Sequence, residues 1–156
     1  MSKQLAEKAK ELIEKIIYIN LATTHNNIPW NTPLVATYDA EYNFYWRSAK
    51  EAIHSINIKE NGKVFITIFD THKQNWKLRE AVYIQATARE LMNEEEINQV
   101  LPLLDKRSGT SFGNAANFLN TSPRRVYKAI PEKFWINVDG EIDGQFVDKR
   151  VEIKLS

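Results

Sequence analysis

Tyr45-Trp46-Arg47-Ser48-Ala49-Lys50-Glu51-Ala52-Ile53-His54-Ser55-Ile56-Asn57 is the stretch on which the reading of this chain turns. With Phe44 ahead of them, the aromatic residues through Arg47 suit a short strand. Ser48 is placed to cap a helix whose first turn holds Glu51, and that helix runs through Ala52, Ile53 and Ile56 to a stop near Asn61-Gly62. A strand that passes directly into a helix leaves free backbone N–H groups and the positive end of a helix dipole at one point. Lys50 adds a charge there. Positions 50, 54 and 57 share a helical face by their i, i+4 and i+3 spacing. Cation, imidazole and amide together suit a phosphate. The same spacing suits an ordinary amphipathic helix with its polar side in water, and periodicity does not separate the two readings.

Upstream, Leu5, Ala9, Leu12, Ile13 and Ile16 recur at helical spacing among lysines and glutamates, which predicts an amphipathic helix over about 3–16. Ile17–Thr23 changes period and reads as a strand. His25-Asn26-Asn27 is a turn, Trp30–Thr37 the return strand, and 39–43 another turn. Downstream, Val64–Phe69 is a β-branched and aromatic strand. A polar loop runs from Asp70 to Trp76, and Leu78–Glu90 is a long alternating strand. Asn93 with Glu96 resembles a capping box, before an apolar stripe of Ile97, Val100, Leu101 and Leu104. Residues 105–114 read as irregular and 115–119 as a short helix. Arg125–Ile130 and Lys133–Val138 are two further strands, and Val151, Ile153 and Leu155 alternate in the tail. Short turns between consecutive strands favour antiparallel pairing, and such sheets close into barrels to remove their edges. The expected fold is therefore mainly antiparallel β, barrel-like, with flanking helices.

The chain has 156 residues and 43% apolar residues, enough for one domain, 1–156, with a real core. It has no cysteine, which removes disulfides, thiolate nucleophiles and cysteine-ligated metals, and which fits a cytoplasmic protein. No apolar run reaches membrane-spanning length. With 21 basic and 20 acidic residues the net charge is +1, so no nucleic-acid partner is expected. The local basic run is Arg124, Arg125 and Lys128. His25, His54 and His72 lack metal-ligand spacing, and no G-x-S-x-G, G-x-G-x-x-G or Walker sequence is present. Asp70 with His72 suits acid–base work or, more simply, a polar loop.

At this point the chain resembles the flavin-binding split-barrel proteins related to pyridoxamine 5′-phosphate oxidase. The resemblance rests on Phe44–Lys50, His54-x-x-Asn57, Val64–Phe69, Tyr83–Ala88, and Arg125–Lys128 through Pro131–Trp135, which looks like a closing hairpin. It implies a split β-barrel binding flavin mononucleotide (FMN) in two equivalent clefts of a homodimer, with hydride passing through flavin N5 to or from a small molecule. It also implies roles. Trp46, Arg47 and Ser48 would line the isoalloxazine or ribityl portion, and Lys50, His54, Ser55 and Asn57 the phosphate. Thr32 and Pro33 would flank the flavin, Gln85 would reach it, and Trp135 would come from the other subunit. Where the vitamin-making oxidases open their phosphate helix with two basic residues, this chain has Lys50-Glu51. Pyridoxamine phosphate oxidation, reduction of another acceptor, and flavin or haem binding without turnover all remain open.

Overall fold

A computed structural model describes residues 1–75 and 79–155. Helix α1 (Ser2–Lys15) buries Ala6, Ala9, Leu12 and Ile13, the stripe that its periodicity predicts. Strands β1 (Tyr18–His25) and β2 (Ile28–Val35) form a hairpin, closed by Asn26 and Asn27 at φ 49° and 61°. Positive φ at both turn positions is the geometry that matches strand twist, and asparagine tolerates it. Then come β3 (Thr37–Tyr38), β4 (Phe44–Ala49), α2 (Ile53–Glu60), β5 (Lys63–Phe69) and β6 (Ala81–Glu90). Helix α3 (Glu94–Ser108), a short 3-10 helix (Ala115–Phe118), β7 (Arg124–Ile142) and β8 (Gln145–Ile153) complete the chain.

All pairings are antiparallel, in the order β2-β1-β5-β6-β7-β4-β3, with β8 added on β7. The sheet does not close: β2 approaches β4 without a ladder between them, which makes the barrel a split one. Phe44, Trp46, Ile66, Ile84 and Ala129 fill its inside, and α1 packs on β5, β6 and β8. A second core lies under α3, where Tyr45 and Val126 meet Ile97, Leu101, Leu104 and Phe118. Strand β4 thus serves both cores through its alternation, with Phe44 and Trp46 on one side and Tyr45 on the other.

Four expectations need correction. Helix α2 begins at Ile53, not just after Ser48, because Ala49 still pairs with Arg124 and the Lys50 N–H donates to the Pro123 carbonyl at 2.9 Å. Its N-cap is Ala52, and Ser48 caps nothing. Helix α3 continues through Ser108, past the start of the expected irregular segment, and ends on Gly109 at φ 71°. Asn93 does cap it, accepting from the Glu96 N–H at 3.0 Å. The two strands expected around Pro131 are one. Ala86 faces Pro131 and Gln85 faces Lys133, so Glu132 is the extra residue of a bulge rather than part of a hairpin turn. The described part of the β6 strand starts at Ala81; its expected start at Leu78, and the loop's end at Trp76, lie outside the described residues.

Candidate functional site: the end of strand β4

Past Trp46, the alternation of β4 sends Arg47 toward α3 and Ser48 toward α2. The Arg47 guanidinium donates to Asp105 Oδ1 at 2.6 Å, to Ser108 Oγ at 2.6 Å and to the Thr110 carbonyl at 3.1 Å. It also lies 4.5 Å from the centre of the Phe112 ring. Arg124, opposite Ala49 in the ladder, places its guanidinium 4.7 Å from that same ring. Among the described residues Arg124 has no carboxylate partner, whereas Arg47 has Asp105. Together these residues border a cleft of about 440 Å³ at the split, with Val35 and Leu104 as its aliphatic wall and Ser48 at its edge.

On the other side, Ser48 Oγ lies 2.8 Å from His54 Nε2. His54 is 6% exposed, and burial lowers its pKa, so the imidazole is neutral at neutral pH. Asn57 is buried too, and its amide donates to Thr23 Oγ1 at 3.0 Å, which fixes α2 on β1. Ser55 is buried near Tyr127. Lys50 precedes the helix, so it does not share a helical face with His54 and Asn57. Instead Lys50 and Glu51 both border a second, larger cleft of about 910 Å³, together with Ser55, Arg89, Glu90 and Arg125. Arg125 is already engaged there, its Nε 2.6 Å from Glu90.

The remaining expected residues lie elsewhere. Trp46 is wholly buried and stacked on Tyr127, with ring centres 5.8 Å apart, so its side chain belongs to the core. Thr32 accepts from Trp30 Nε1 at 2.7 Å. Pro33, Gln85 and Trp135 face outward from the sheet. The pairings Pro33–Asn20, Asn20–Thr67, Thr67–Tyr83 and Tyr83–Trp135 make one row across its outer face. Gln85 lies in the adjoining row, beside Phe65 and Lys133. Trp135 stacks on Phe65 at 6.2 Å. Gln85 donates to Glu132 at 2.8 Å, and the bond from Lys63 does most to hold that glutamate's pKa down, at about 2.

The structure thus joins Ser48 to His54, turns Arg47 to the opposite side of the strand, sets Lys50 and Ser55 in a neighbouring cleft, and places Pro33, Gln85 and Trp135 in rows of the sheet that border neither cleft. Sequence reasoning missed Asp105, Ser108, Phe112 and the part played by Arg124. Arg47 meets Asp105 and Ser108 across 58 and 61 residues, and no local pattern marks such a pairing. The available signal was Gly109, a helix stop that puts Ser108 in the last turn rather than in a loop.

No family model and no curated protein matches this sequence. Solved structures do match it. A candidate pyridoxamine 5′-phosphate oxidase from Listeria innocua superposes with a TM-score of 0.65 at 17% identity, over 85% of this chain and 97% of that one. The chain has the pyridoxamine 5′-phosphate oxidase-like split-barrel fold. A FAD-binding protein from Mesorhizobium loti matches this split barrel with a TM-score of 0.66 at 14% identity, over 84% of this chain and 92% of that one. A heme binding protein from Mycobacterium smegmatis matches with 0.69 at 14% identity, over 92% of this chain and 57% of that one. Among the described residues of the split barrel, no helix is long and apolar enough to cross a membrane. No cluster of three or more histidines and carboxylates is set to hold a metal there.

Proposed function

We propose that this chain binds FMN and serves as an oxidoreductase for a small molecule, in a site completed by a second copy of itself. The observation that carries the reading is the end of β4, where two clefts with basic residues flank the turn into α2. The residues fit the cofactor. Among the described residues the Ile53, His54 and Ser55 amides at the start of α2 meet no acceptor, and Lys50 is a cation with no ion-pair partner. Lys50, those amides and Ser55 would hold the phosphate. Arg47 and Ser48 would border the rest of the molecule. When bound, the flavin supplies the hydride chemistry. The chain supplies position, and one hydrogen bond joins Ser48 Oγ to Nε2 of the neutral imidazole of His54.

The homodimer reading draws on placement. Pro33, Gln85 and Trp135 border neither cleft of their own chain, so in this reading a two-fold partner would present them to the flavin. The Phe65–Trp135 stack gives that contact apolar area.

The visible spectrum of the purified protein tests the cofactor. Flavin absorption is expected, with FMN retained over FAD on titration, and light scattering should report a dimer. A Soret band would assign haem instead, the reading that the Mycobacterium smegmatis neighbour favours. A colourless protein that takes up neither would end the proposal. Flavin binding with no oxidation of reduced nicotinamides or deazaflavins would leave a carrier.

A further inference from the structure

The cleft between β2 and the end of β4, which the flavin reading enters only at Arg47 and Ser48, has on its α3 side a composition that this reading leaves unused. Its wall is aliphatic, from Val35 and Leu104, and aromatic, from Phe112. Its rim is cationic. Arg47 is neutralised by Asp105 and held in three hydrogen bonds, so it is a fixed part of the wall. Arg124 differs. Its guanidinium lies over Phe112 with no acceptor and no carboxylate among the described residues, so its five N–H donors face water or a ligand. A fixed Arg–Asp pair next to an uncompensated arginine gives the cleft a net positive charge. An apolar wall beside such a rim selects a molecule with both a flat apolar body and an anionic group.

We infer that this cleft is a binding subsite for a ring-bearing organic anion, a carboxylate or phosphate monoester, with Arg124 as the anion's partner and Ser48 within reach of its ring. The subsite itself stands on the geometry of the cleft. Its assignment to the compound that is oxidised or reduced rests on the flavin reading, which puts the flavin against Arg47 and Ser48 at the edge of this cleft. The flavin's phosphate is a second source of the same chemistry, and the test must separate the two.

Calorimetric titration of the purified chain with benzoate, phenyl phosphate and the neutral isostere benzamide reads the subsite directly. Either anion should bind about tenfold or more tightly than benzamide. Arg124→Leu should abolish that preference and leave benzamide unchanged. Arg124 is exposed and makes no side-chain hydrogen bond, so the variant should fold, and its melting temperature checks this. Lys106→Ala, an exposed cation of α3 that borders neither cleft, should leave anion binding as it was. Equal affinity for anions and benzamide, no binding of either, or no response to Arg124→Leu overturns the inference. A parallel titration with FMN and riboflavin settles the source. If Arg124→Leu weakens FMN but spares riboflavin, the cleft holds the flavin phosphate; the inference then falls and the flavin reading stands. If neither flavin binds while the anion preference persists, the subsite stands and the flavin reading falls.

Discussion

The two sides of the β4 end use similar residues to opposite effect. Toward α3, charge is locked in place: Arg47 is pinned by Asp105, Ser108 and Thr110, and Arg124 stands beside it uncompensated. Toward α2, the polar groups nearest the strand are desolvated and neutral, with Ser48 on His54 and Asn57 on Thr23, while Lys50 and Glu51 oppose each other at the mouth of the larger cleft. A histidine four residues from a lysine therefore says little about a phosphate until the helix boundary is known. An arginine followed by a serine on a strand has its two side chains in different environments by necessity.

The largest effect should come from the interior member of this strand. Trp46 has no hydrogen bond from Nε1, so its truncation loses packing alone. Trp46→Ala should cost about 3–5 kcal/mol of stability, the range for large buried side chains. Trp135→Ala, on the outer face, should cost the monomer far less and lower dimer affinity instead. Denaturant melts and light scattering on both variants separate core from interface. A Trp46 variant that keeps its stability and loses only flavin would return that side chain to the cofactor.

Next comes the locked side. Arg47→Leu strands the Asp105 carboxylate, and the loss should be about 2 kcal/mol. Adding Asp105→Asn should recover part of it, so a double-mutant cycle should show positive coupling. Additive losses would mean that the pair matters only as two separate surface groups.

The α2 side should respond through binding rather than stability. With FMN phosphate near Lys50, Lys50→Ala should weaken FMN by about fivefold, since an exposed charge contributes roughly 1 kcal/mol. Riboflavin affinity should hardly change. Because Glu51 borders the same cleft, Glu51→Gln should tighten FMN by a similar or smaller factor. If the charge reversal in Glu51→Lys has no effect on FMN, the phosphate is not in this cleft.

What was legible in the sequence divides along physical lines. Strands came through where alternation is local, as in β1, β5 and the Val82–Ala88 stretch of β6, and α1 came through from its stripe. The order of elements then carried the fold. Pro131 misled because a proline between two apolar runs reads as a turn, whereas a bulge also accommodates a residue without an N–H. At the site, Arg47, Ser48 and His54 were legible as residue types at a strand-to-helix junction. The start of α2 was not, because it depends on β7, far along the chain, holding Ala49 and Lys50 in the sheet through Arg124 and Pro123. Phe112 was silent for the same reason, and Arg124 was legible only as a member of a basic run.

The smallest effect expected is a pH dependence that isolates His54. Its pKa in the folded chain is pushed below the ordinary 6.5 by burial, with no acidic group to offset this. The unfolded chain therefore takes up a proton near pH 6.5, while the folded chain resists until a lower pH. The sign follows: stability is full above about 6.5 and falls as pH drops from there toward the folded value, where the loss levels off. The carboxylates with depressed pKa, Asp70 through its bond from Lys15 and Glu132 through its bond from Lys63, also lose their contribution as pH falls. They do so only below the ordinary carboxylate range, about 4. Between about pH 6.5 and 5 the slope thus belongs to His54 and should correspond to a net uptake of protons on unfolding, one at most. His54→Gln should flatten that slope while keeping a polar partner for Ser48. Urea melts of both proteins across this window decide it. An unchanged slope in the variant would mean that the imidazole takes up its proton alike in the folded and the unfolded chain, and burial would then not be what sets its charge.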